Sequence, residues 1–250
     1  MTARPRPPAY ARLVLRIIDA RTGEPADAAP ARRGLTRVEA HAPGSDPTHL
    51  RVLLVADLLA RALEIGGTPV WALLTGGHRQ AELLARATAL GIRPFEDSHD
   101  VGAGLGEAQA VHVAAEGGAA PDGVRIAVAP VRPGPPDPAD PAVLRLALLT
   151  RHHSAGVPLD EAALAEAAAT LARWRTAVAR WARSPSRPVP DDVRRRLRHA
   201  WEDDLDVPGV LDVLRRVESD PDLPDGARFE TYAHADRLLG LDLTRDLGSS

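Results

Sequence analysis

The sequence predicts an α/β layer built on a parallel sheet, followed by an all-helical bundle. Three observations carry that prediction. Short apolar runs rich in leucine, valine and isoleucine alternate with helically spaced segments over the first half of the chain. Between residues 130 and 141, Pro130, Pro133, Gly134, Pro135, Pro136 and Pro138 leave too few backbone donors for either regular structure, which marks a composition break. Beyond that break every patterned segment is helical.

The elements follow in order. Residues 13–18 are nearly all apolar and precede a turn-like Thr22-Gly23, which predicts a buried strand. A second strand is expected over 36–40 and a loop over 41–48. Residues 49–64 set Leu50, Leu53, Leu54, Leu58 and Leu63 at helical spacing, with Ser45 or Asp46 as cap, Pro47 in the first turn and Gly66-Gly67 as terminator. A strand over 68–74, a helix over 78–90 closed by Gly91, and strands over 110–114 and 124–129 complete the first half. In the second half, helices are expected over 141–152, 160–183, 191–203, 207–217 and 228–239.

Composition narrows the function classes. At 250 residues and 44% hydrophobic content, the chain can bury a real core, built from leucine, valine and alanine because aromatics are only 3%. A formal net charge of −3 with both signs interspersed gives no field for holding bulk nucleic acid. The absence of cysteine excludes disulfides and thiolate metal ligands. All 31 cationic side chains are arginine. Residues 1–11 are proline-rich and basic without an apolar core, and no uncharged stretch has membrane-spanning length, so a soluble, cytoplasmic protein is expected.

Several stretches resemble the class I cysteinyl-tRNA synthetases and their relative, the cysteine ligase of mycothiol biosynthesis. Leu15 to Pro25, with Thr22-Gly23-Glu24-Pro25, is similar to the family's opening strand and turn. The run from Thr48 to Leu59 resembles the helix that starts in its HIGH motif, and Leu84 to Gly91 the segment after its second strand. Leu144 to His153 resembles the helix entering its C-terminal domain, Pro158 to Arg175 its long helix, and Trp201-Glu-Asp-Asp-Leu-Asp-Val-Pro208 its acidic turn. The resemblance implies a shortened Rossmann-like, class I synthetase-type nucleotide-binding domain over residues 1–135 and a helical bundle over 136–250.

Amino-acid activation requires positive potential around a triphosphate. The resemblance implies two histidines at a helix start, where Asp46-Pro47-Thr48-His49 retains one, His49, and offers the carboxylate of Asp46 in place of the other. The candidate nucleotide contacts are therefore Thr48, His49 and Arg51, and Asp46 is read as a helix cap. The family's mobile lysine signature, KMSKS, cannot exist in a chain without lysine, and the corresponding 125–134 stretch offers only Arg125 and Arg132. The implied zinc site, built on two cysteines with a histidine and a glutamate, cannot form either. A substitute from His41, His78, His99, His112 and Glu116 shows no i,i+4 pairing, so these are read as scattered histidines and zinc is not expected.

Gly102-Ala-Gly104-Leu-Gly106 is read as a loop rather than a phosphate cradle. Arg194, Arg195 and Arg198 are the candidate RNA contacts, set against acidic neighbours at 202–204, while Trp174 and Trp181 are read as packing anchors. The expected function is a non-catalytic pseudo-synthetase that binds a small ligand or a protein partner. The alternatives are an ATP-dependent ligase with altered chemistry, in which ATP is the cofactor, and a tRNA-binding accessory module.

Overall fold

The computed structural model describes residues 15–30, 35–77, 80–97 and 109–248. The expected features at His78, His99 and Gly102 to Gly106, and the first residues of the 13–18 strand, lie outside these. Chain order begins with a small antiparallel pair, β1 (Arg16–Ile18) and β2 (Pro25–Asp27). It continues through β3 (Thr36–Ala42), α1 (Pro47–Ile65), β4 (Val70–Gly76), α2 (Gln80–Ala89), β5 (Glu96–Asp97), β6 (Gln109–Ala115) and β7 (Val124–Val128). The last five strands named here form one sheet in the order β5-β4-β3-β6-β7, parallel at every pairing. This is the Rossmann-like strand order, in which the chain winds one way from β3 and then returns to the other side of it.

The two-residue strands β8 (Val131–Arg132) and β9 (Val157–Pro158) pair across the proline-rich break. The helices α3 (Pro141–Leu149), α4 (Glu161–Trp181), α5 (Asp191–Glu202), α6 (Val207–Ser219) and α7 (Asp225–Leu239) follow. Elements β2, β5, β8 and β9 were not expected from the sequence, because two or three residues carry no readable period. Helix α3 ends at Leu149, short of the predicted 152, with Thr150 as its C-cap.

Alternation on β3 sorts its side chains into two faces. Val38, Ala40 and Ala42 are buried on the α1 side and pair in register with Val111 and Val113 of β6. Arg37, Glu39 and His41 occupy the opposite face. Helix α1 packs on β3, β4 and β6 and also against α2 and α7. It is therefore buried around most of its circumference, which explains why its polar residues Arg51 and Asp57 are only 1% exposed. One hydrophobic core extends from the sheet through α1 and α3 into the bundle, across the division expected at residue 135. In the bundle Trp174 and Trp181 are buried and meet the Tyr232 ring edge-on, as packing anchors do.

Candidate functional site at the carboxyl edge of the sheet

The strand order changes direction between β3 and β6, and open α/β sheets bind ligands in the crevice outside the carboxyl ends of the strands at such a point. Residues 43–46 lead from β3 into α1 here. The start of a helix offers free amides and a positive dipole end to an anion. In this chain Asp46 takes that place.

Asp46 Oδ1 accepts from the backbone amides of Thr48 at 2.8 Å and His49 at 3.2 Å. Its Oδ2 accepts from His49 Nδ1 at 2.6 Å. Burial pushes the Asp46 carboxyl up, but the hydrogen bonds from His49 and Thr48 outweigh it and hold the group below its ordinary value. Thr48 Oγ1 in turn accepts from the Val131 amide at 3.0 Å and so pins β8 to the helix start. Thr48 and His49 thus stand together where the sequence places them, and each is engaged within the chain.

Arg51 corrects the sequence reading. Its Nη1 donates to the carbonyls of Ala129 at 3.0 Å and Ala155 at 2.7 Å, and its Nη2 to those of Arg151 at 3.0 Å and His152 at 2.7 Å. Burial lowers its pKa to about 10. The guanidinium is thus bonded to the segments after β7 and α3 rather than held at the helix start. Arg125, from the stretch matched to the lysine signature, donates to the Ala120 carbonyl at 2.7 Å.

Two histidine clusters escaped the sequence reading. His41 Nε2 lies 3.0 Å from His112 Nδ1, and His112 Nδ1 lies 3.3 Å from Glu39 Oε2. All three residues are on the sheet face turned away from α1. The expectation that the histidines are scattered therefore fails for this pair. The search for helical i,i+4 spacing missed it because its signal is Glu39 and His41 two apart on one strand, with His112 paired to Glu39 on the next. Glu116 stands apart from the cluster, exposed in the turn after β6.

The second cluster joins two segments that carry the family resemblance. His152 Nε2 and His153 Nε2 lie 2.8 and 3.1 Å from the Asp204 carbonyl oxygen. Asp204 and Leu205 both have left-handed backbone angles, φ 53° and 52°, unusual for residues other than glycine. Asp204 is held there by the Ile18 amide, which donates to its Oδ1 at 2.8 Å, and by its own amide donating to the Arg16 carbonyl.

The candidate RNA face is largely neutralised. Arg194 contacts Asp191 at 3.4 Å, and Arg198 pairs with Glu202 at 2.6 Å. Arg195 is exposed on the same helix, where Arg196 pairs with Asp192 at 2.7 Å. Among the described residues, no helix is long and apolar enough to cross a membrane.

No family model matches the chain. The L-cysteine:1D-myo-inositol 2-amino-2-deoxy-alpha-D-glucopyranoside ligase of Streptomyces griseus is 38% identical over 108 residues, 42% of this chain and 25% of the relative. The protein of that name from Parafrankia sp. is 49% identical over 73 residues, 29% of this chain and 16% of the relative. That from Rhodococcus jostii is 38% identical over 110 residues, 42% of this chain and 26% of the relative. The chain thus matches about a quarter or less of the length of these relatives. By these identities and by its strand order, the chain is a Rossmann-like α/β protein whose sequence resembles the mycothiol cysteine ligases and, with them, the class I cysteinyl-tRNA synthetases.

Proposed function

We propose that this chain is a non-catalytic relative of those ligases, a pseudo-synthetase that binds a small ligand or a protein partner on a nucleotide-fold scaffold. The observation that carries this reading is the Asp46 carboxylate seated on the amides of Thr48 and His49. A triphosphate approaching the same amides would meet a like charge a few Å away, a repulsion on the order of 1–4 kcal/mol. The residues that would offset it are committed elsewhere: His49 to Asp46, and Arg51 to four backbone carbonyls. The residues at the helix start therefore do not fit ATP. With no lysine in the chain, no mobile ammonium is available to follow charge as it develops.

The test is ATP–pyrophosphate exchange across the amino acids, with ATP binding followed by calorimetry. The expected result is no exchange above background and no binding heat. Exchange that disappears in His49→Ala would instead establish an ATP-dependent ligase with altered chemistry. The paired charges around Arg194 and Arg198 also favour no salt-sensitive tRNA shift. A shift abolished by joint alanine substitution of Arg194, Arg195 and Arg198 would support the accessory-module reading.

A further inference from the structure

The polar face of the sheet holds a group of ligand atoms for which the pseudo-synthetase reading has no use. Glu39 and His41 project from β3, and His112 projects from the neighbouring β6 in direct register with Glu39. His41 is 8% and His112 3% exposed, and both lie near the point where the strand order reverses. We propose that Glu39 Oε2, His41 Nε2 and His112 Nδ1 form a binding site for one divalent transition cation of the zinc, cobalt, nickel or copper kind.

Three features support this assignment. First, the spacing is right. A tetrahedral ion with bonds of about 2.0–2.1 Å to nitrogen and oxygen sets its ligand atoms roughly 3.4 Å apart. Here His112 Nδ1 stands 3.0 Å from His41 Nε2 and 3.3 Å from Glu39 Oε2, and all three ligand atoms lie within 4.8 Å of one another. Small side-chain rotations would admit an ion.

Second, the ring of His112 is oriented for ligation. Its Nδ1 is turned toward the cluster, facing both His41 Nε2 and Glu39 Oε2. Without an ion, one of the two facing ring nitrogens donates to the other, and an ion bound between them requires that ring to shift its proton to its other nitrogen.

Third, the carboxylate divides its work. Glu39 Oε1 faces Arg37 Nε at 3.5 Å, while Oε2 faces the histidines. A partner on the far oxygen orients the carboxylate as outer partners do in metal sites.

The ligand set of two imidazoles and one carboxylate selects first-row transition ions over magnesium or calcium. It contains no thiolate and is distinct from the cysteine-based zinc site implied by the resemblance. The charges of Arg37 and Arg125 oppose a cation here, so affinity is expected in the micromolar range rather than tighter.

The experiment uses the full chain without a polyhistidine tag, stripped with chelator and titrated with zinc by calorimetry and with cobalt by visible absorption. One equivalent should bind, and cobalt should give the intense visible bands of a four-coordinate ion. Glu39→Gln should weaken binding by at least tenfold, and His41→Gln and His112→Gln should abolish it, each with an unchanged circular dichroism spectrum. His152→Gln tests the second histidine cluster and should leave binding intact. The proposal is overturned if no stoichiometric binding occurs below about 100 μM, a weak affinity on the usual scale. It is equally overturned if binding survives His41→Gln with His112→Gln, or depends on His152.

Discussion

Asp46 and Arg51, five residues apart in sequence, set the character of the first helix in opposite ways. Asp46 satisfies two amides that an anion would otherwise use. Asp46→Ala should therefore cost about 1 kcal/mol of stability by urea unfolding, the usual value of an N-cap. The same variant should gain measurable affinity for inorganic phosphate, since the vacated amides and His49 then face solvent. Arg51 is a buried cation that pairs with no carboxylate among the described residues and is held by the carbonyls of Ala129, Arg151, His152 and Ala155. Arg51→Ala is expected to cost about 3 kcal/mol, because one buried and three half-buried acceptors lose their donor. Arg51→Lys should recover only part of that loss, since one ammonium cannot span the positions reached by the planar fork.

At the scale of elements, α1 is joined to its surroundings by a buried ionic network. Asp57 Oδ2 accepts from Arg61 Nε at 2.8 Å and from Arg145 Nη2 at 3.1 Å, and Asp57 Oδ1 accepts from Arg93 Nε at 2.9 Å. Arg145, fully buried on α3, also donates to the carbonyls of Leu239, the last residue of α7, and of Leu90, the residue that follows α2. Four helices are thus tied through one guanidinium. Asp57→Ala leaves that charge uncompensated and should cost about 3–5 kcal/mol in denaturant unfolding. A cost below 1 kcal/mol would show that the network contributes no more than an exposed pair. Replacing Asp57 and Arg145 together by leucine and methionine is expected to restore only part of the loss, because it removes the desolvation penalty with the charges but leaves the Leu90 and Leu239 carbonyls without their donor.

For the whole molecule, the continuous core and the Arg51 and Arg145 bonds make the sheet and the bundle interdependent. A fragment ending at residue 135 should show no cooperative thermal transition, and the intact chain should show a single one. Acid stability follows from the buried histidines. His152 and His234 have pKa values lowered first by burial, then by His153 for His152 and by Arg237 and Arg194 for His234. Asp204 and Asp206 oppose the shift at His152. The unfolded chain takes up these protons below its ordinary 6.5, whereas the folded chain does so only at lower pH. Stability is therefore full above about pH 6.5, declines as pH falls from there toward the lowered values, and levels off below them. Melting temperatures measured downward from pH 7.5 should show this decline, and His152→Gln with His234→Gln should make it shallower.

The sequence by itself determined what local physics can encode: the parallel α/β half, the five bundle helices, the Asp46-Pro47 cap and the tryptophan anchors. Each rests on spacing within one element or on residues a turn apart, where periodicity and capping act directly. Tertiary structure alone decided where the polar side chains of α1 and β3 end their reach. Arg51 sits at the right place to suggest a phosphate contact, yet α1 is enclosed on several sides and its guanidinium meets carbonyls about 80 to 100 residues away. His41 and His112 are 71 residues apart and become neighbours only because β6 adds in parallel beside β3. Strand adjacency is a long-range choice made by the whole core, so the chemistry it assembles is absent from any local pattern.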